Sequence, residues 1–249
     1  MDSSAIWSQL ERVLDPELDE SIVRLGFVKQ VDWDGQRARI VLRLPTYWCA
    51  ANFAYLMLDG IRRAVLSLPG IKSVQVELED HFASRELSAG VSAGRTFREL
   101  FPEEASEELD ELRQRFLIKG YLSRLLVLIQ ALRAAGARAE ELVTASLGQL
   151  VNRGEEVWFR TEGGERGPIR RQVVDRYLGR RAELGLPMTP DAPLVLRPDR
   201  QVIPAEAFTE ELQRMRTTVI NLRASTALCE ALLASRQQWW DPERKEAAR

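Results

Sequence analysis

An α+β fold, in which a small helix-strand-strand-helix-strand domain precedes a mainly α-helical domain, is predicted by three features of the 249-residue sequence. Apolar residues switch from helical to alternating spacing and back before Phe82. The pair Asp34-Gly35 sits between two alternating segments, where a residue tolerant of positive φ makes a tight hairpin. Beyond Phe82 the alternation gives way to long, charged segments of helical period.

Taken in order, Ile6, Leu10, Val13 and Leu14 predict an amphipathic first helix over 6–14, stopped by Asp15-Pro16. Asp15 is suited to cap a short turn running into 19–23, which Gly26 closes. Strands follow over 27–33 and 38–44. In the second, Ala38, Ile40, Leu42 and Leu44 alternate with Arg37, Arg39, Val41 and Arg43, so one face is apolar and the other mostly basic. Phe53, Met57, Ile61, Ala64, Val65 and Leu68 form a helical stripe that ends at Pro69-Gly70 and covers the sheet. Val74, Val76 and Leu78 then predict a third strand in the same sheet. These signals place a domain over 1–82, a Ser/Ala/Gly-rich linker over 83–102, a mainly helical domain over 103–240 and a disordered tail over 241–249. Within the helical domain, one long helix or two meeting near Gly120 are expected over 103–135 and further helices over 140–150, 169–184 and 208–239, with a loop at 163–168 and a small hairpin over 194–203.

Composition narrows the function classes. The formal net charge of −2 gives no global attraction for nucleic acid or an anionic membrane. The arginines Arg166, Arg170, Arg171, Arg176, Arg180 and Arg181 alternate with acids and read as a solvated helix face. The apolar stretch 117–132 is interrupted by Lys119, Gly120, Arg124 and Gln130 and is too short to span a bilayer. Two cysteines cannot organise a disulfide framework, and the polar N-terminus lacks an export pattern, so a cytoplasmic location is expected. No phosphate-binding glycine loop is present. Cys49 with His81 forms a formal nucleophile and base pair, but no glycine-rich elbow or second histidine supports a thiol enzyme.

The chemistry concentrates between the second strand and the second helix. Cys49 lies where unpaired N–H groups and the positive end of a helix dipole favour a thiolate, a soft metal ligand. Thr46 could orient that loop or donate a hydrogen bond to the sulfur. Asp15 and Glu17 offer oxygen, although cap, first-turn proline and first-turn acid explain Asp15-Pro16-Glu17 equally well. Asp80 and His81, directly after the third strand, could add oxygen and nitrogen donors, or be a plain strand end. Cys229 reads as core packing on a leucine-rich helix. One well-placed thiolate falls short of the roughly four ligands a stable cluster needs, so any metal would be held transiently or shared with another molecule.

The ordered set Asp15-Pro16-Glu17-Leu18, Ser21-Ile22-Val23, Leu25-Gly26-Phe27-Val28, Thr46, Cys49 and Leu68-Pro69-Gly70 resembles the iron–sulfur cluster assembly domain shared by SufT and PaaD. The resemblance covers about residues 5–82. It implies that family's α+β fold and a site of Asp15, Glu17, Leu18, Thr46 and Cys49, with iron or an iron–sulfur cluster as transient cargo. It further implies a non-enzymatic maturation factor whose partners are a client apo-metalloprotein and the cluster-assembly machinery, with a homodimer as an open alternative. The chain departs from the family at Pro45, where threonine is common, and at Ala50, where proline is common. The longer layout, with Tyr47-Trp48-Cys49-Ala50, Asn52-Phe53-Ala54 and Asp80-His81-Phe82-Ala83-Ser84, resembles accessory proteins of bacterial diiron monooxygenases and implies a client of that kind.

Overall fold

The first helix ends where its backbone finds other partners. In the computed structural model, which describes residues 3–103 and 108–239, α1 spans Ser3–Leu10 and buries Ile6 and Leu10. It stops short of residue 14 because the Val13 carbonyl accepts from the Ile22 N–H and Leu14 bridges Ser21. The following acidic loop is a series of tight turns, with Asp19 and Gly26 at positive φ (54° and 72°).

Strands β1 (Val28–Trp33) and β2 (Arg37–Arg43) form the expected hairpin. Asp34 Oδ1 accepts from the N–H groups of Gln36 and Arg37 at 3.0 and 2.8 Å, and Gly35 takes φ 102°. Helix α2 (Ala51–Leu66) crosses one face of the sheet and returns the chain to β3 (Ser73–Glu79), parallel to β2, so the order is β1-β2-β3. Ile40, Leu42, Val76 and Leu78 from the sheet pack with Met57, Leu58, Ile61 and Val65 from α2. On the opposite face, ion pairs join the strands: Arg39 with Glu77 at 2.5 Å and with Asp32 at 3.0 Å, and Arg43 with Glu79 at 2.7 Å.

The stretch read as a linker over 83–102 is folded. Helices α3 (Ser84–Ser92) and α4 (Phe97–Leu100) bury Leu87, Val91 and Phe97 in the same core. Ser88 and Ser92, one turn apart on α3, take up backbone groups of the edge strand β3. Their hydroxyls accept from the N–H groups of Leu78 (2.9 Å) and Val76 (3.0 Å). Serine, alanine and glycine gave a loop-like composition, but here small residues let α3 approach the strand closely. The expected tail over 241–249 lies outside the described residues.

The chain divides into two compact units, Met1–Arg113 with Leu222–Arg249, and Gln114–Asn221. Most of α5 (Glu108–Ala134) belongs to the second, together with α6 (Ala139–Thr144), β4 (Leu150–Arg153), β5 (Glu156–Thr161), β6 (Gly164–Arg170) and α7 (Arg171–Glu183). The three strands form an antiparallel sheet absent from the sequence expectation, which placed a helix over 140–150 and a loop over 163–168. Arg181 is fully buried rather than solvated. Its guanidinium donates to Tyr177 Oη at 2.6 Å and to the Pro187 and Pro193 carbonyls at 2.8 Å each, pinning the segment after α7. Arg166, Arg171 and Arg180 pair with Glu141, Asp175 and Glu183, so this cluster is not an open basic face. Helix α8 (Phe208–Trp239) runs as expected, and from Leu222 onward it belongs to the first unit. No helix among the described residues is long and apolar enough to cross a membrane.

Candidate functional site

The loop from β2 into α2, residues 44–50, is tied down by backbone groups. The Phe82 N–H donates to the Tyr47 carbonyl at 3.2 Å. The His81 ring bridges two segments: Nδ1 accepts from the Ala83 N–H at 3.1 Å, so the proton sits on Nε2, which donates to the Cys49 carbonyl at 2.6 Å. Burial, with only 4% of the residue exposed, lowers the histidine pKa and keeps the ring neutral. Arg236 of α8 donates to the Leu44 carbonyl at 2.6 Å and pairs with the Asp80 carboxylate and carbonyl. His81 and Asp80, expected as metal donors, hold partners within the chain: both imidazole nitrogens engage backbone groups, and the carboxylate faces a guanidinium.

Cys49 precedes Ala50, the N-cap of α2, where no side chain caps the helix and no acid occupies the first turn. The expected thiolate is not favoured there. Burial first, then the negative field of Asp15, Cys229 and Glu17, pushes the thiol up to about 12 and outweighs the Ala50 N–H. At neutral pH the sulfur is a thiol, and only a cation able to displace its proton makes it a ligand. Asp15 is its principal acidic neighbour. Its Oδ1 accepts from the N–H groups of Glu17 (2.9 Å) and Leu18 (2.8 Å), as a capping carboxylate does, yet desolvation raises its pKa to about 6.

The structure thus gathers Asp15, Glu17 and Cys49 into one electrostatic neighbourhood, and adds Cys229 from α8. Sequence reasoning assigned Cys229 to packing. The signal for more was the spacing Cys229, Leu233, Arg236, which puts a thiol, a core leucine and a loop-binding guanidinium on one helix face. Leu18 is a buried core residue and contributes an amide to the Asp15 turn, not a ligand. Thr46 is half-buried in the same loop as Cys49. Among the described residues, no three His, Cys, Asp or Glu side chains are arranged to hold a metal ion.

Beside Cys49 lies an exposed aromatic cluster. Tyr47 packs edge-on to Trp48 with ring centroids 4.8 Å apart, and Trp48 stacks on Phe82 at 6.0 Å while exposing 77% of its surface. A separate groove of about 950 Å³ over the β2–β3 ion pairs and α3 includes none of the candidate residues.

Comparison with known proteins matches this unit. The family model described as iron–sulfur cluster assembly protein covers residues 3–78. Over 74 residues, the chain is 35% identical to the Fe-S protein maturation auxiliary factor YitW of Bacillus subtilis, covering 29% of this chain and 71% of that one. Over 75 residues, it is 33% identical to an iron–sulfur cluster carrier protein of Deinococcus radiodurans, covering 30% of this chain and spanning 21% of that relative's length. An uncharacterised protein of Methanocaldococcus jannaschii is 30% identical over 84 residues, 33% of this chain and 86% of that one. No solved structure matches the chain significantly. With its helix-strand-strand-helix-strand unit, its acidic loop and its cysteine at the mouth of α2, this chain belongs to the iron–sulfur cluster assembly family.

Proposed function

We propose that the chain is an accessory factor for iron–sulfur or iron-centre assembly, which helps a client apo-metalloprotein acquire its metal by handling iron transiently at Cys49. The observation that carries this reading is the Cys49 thiol beside Asp15 and Glu17, at an uncapped helix start, in a donor set too small for tight retention. A thiol that stays protonated until a metal arrives binds weakly and releases readily, as a carrier needs. The descriptions of the relatives, a maturation auxiliary factor and a cluster carrier, support assistance rather than catalysis. The client we put forward is a diiron monooxygenase component, on the resemblance carried by residues 47–54 and 80–84. The helical unit recognises that client.

Reconstitution with ferrous iron and sulfide without oxygen tests the reading, comparing wild type with Cys49→Ala by absorption and Mössbauer spectroscopy and by client maturation. Loss of the iron–thiolate signal and at least about a tenfold drop in maturation are expected. Equal spectra and equal maturation overturn it. A second reading, an adaptor without metal chemistry, is favoured by the exposed Tyr47–Trp48–Phe82 cluster. It predicts that Trp48→Ala, at an exposed position, impairs client maturation while Cys49→Ala does not.

A further inference from the structure

We propose that Cys229 is the second thiol of this site, so that ferrous iron in transit is held between Cys49 and Cys229 as a two-sulfur half-site; this rests on the reading of Cys49 above. The chain has two cysteines, far apart in sequence, and both pack against the core of the first unit. Cys229, Leu233 and Arg236 stand at i, i+4 and i+7 on α8, one face of the helix. Leu233 is buried in that core, 3.6 Å from the position a side chain on Gly26 would take. Arg236 is fastened to Leu44 and Asp80, the residues that open the two segments whose continuation His81 ties to Cys49. These two anchors aim the face carrying Cys229 at the loop carrying Cys49, about two turns from Arg236.

Binding breaks two S–H bonds and forms two Fe–S bonds, releases two protons to solvent and leaves iron ferrous. The remaining coordination positions fall to the delivering protein, the client or a small thiol, which accounts for the lack of a third protein donor among the described residues. The segment that supplies Cys229 lies outside the matched family region, residues 3–78.

The test uses the full chain. First, dibromobimane, which fluoresces strongly on bridging two thiols, is expected to bridge the folded monomer internally, a product that with two cysteines can only be Cys49 to Cys229. Second, cobalt(II) without oxygen serves as the metal probe. Wild type is expected to release about two protons per metal and to show a sulfur-to-cobalt band about twice that of Cys229→Ser or Cys49→Ala. Absence of an internal bridge in the folded protein overturns the proposal, as does Cys229→Ser with the wild-type band and proton count. If Cys49→Ala alone then abolishes the band, the Cys49 reading stands without its partner. If Cys49→Ala keeps the full band, both fail.

Discussion

Replacing Asp15 with asparagine should change how the first unit responds to acid. The carboxyl has an ordinary pKa of 3.8, raised to about 6 in the fold chiefly by desolvation, against the opposing N–H groups of Leu18 and Glu17. At about 1.4 kcal/mol per tenfold in proton affinity, that rise corresponds to about 3 kcal/mol between the neutral and ionised forms. Because the folded pKa lies above the unfolded one, the resulting stability is fully present below pH 3.8 and is lost as pH rises through about 6. Between pH 7.5 and 4.5 the wild type should therefore gain about 2 kcal/mol from this group alone. The amide introduced by Asp15→Asn keeps an oxygen for the Glu17 and Leu18 N–H groups but cannot titrate, so other groups cancel in the comparison. Urea unfolding of both proteins at the two pH values measures the effect. The wild-type-minus-variant stability should rise by about 2 kcal/mol on acidification, a midpoint change of roughly 1 M. A difference that is flat with pH, or moves the other way, would refute the claim that Asp15 is buried and desolvated.

Cys49 should react sluggishly: with its thiol near pKa 12, iodoacetamide at pH 8, followed by peptide mass spectrometry, should modify it at least about thirtyfold more slowly than a peptide thiol. A rate equal to the peptide would show that the sulfur is neither desolvated nor set among acids. Gly90→Ala should destabilise the first unit by about 1–3 kcal/mol in urea or thermal unfolding, because the new methyl would collide with the Leu100 side chain. The higher helix propensity of alanine works in the opposite direction, so a neutral or stabilising outcome would mean that α3 and α4 do not pack as described.

Much of the small domain was legible because each element carried its own local signal. Asp34-Gly35 fixed the hairpin, the arginine and aliphatic alternation fixed the faces of β2, and Pro69-Gly70 marked the end of α2 to within a few residues. Where the reading failed, tertiary contacts decided. Residues 84–92 looked like a linker because helix propensity cannot register that Ser88 and Ser92 meet a strand edge. The sheet of β4, β5 and β6 was hidden because β4 is only four residues long and β6 carries two glycines and a proline, which leaves β5, with Val157, Trp158 and Phe159, as the one segment of strand-like composition. At the site, sequence placed Cys49 at the helix start but took the helix dipole as dominant. Burial and two nearby acids, visible only in three dimensions, reverse the outcome. His81 looked like a donor from its position, and only the hydrogen bonds to Ala83 and Cys49 show both nitrogens spent.

The serine clasp on β3 also bears on how this protein can be shortened. The family match ends at residue 78, before α3 begins at Ser84. A fragment trimmed to the matched region would bare the Val76 and Leu78 amides along an unguarded strand rich in valine, a template onto which a neighbouring copy could zip. Clumping of such a fragment would thus report the missing clasp rather than any habit of the intact chain.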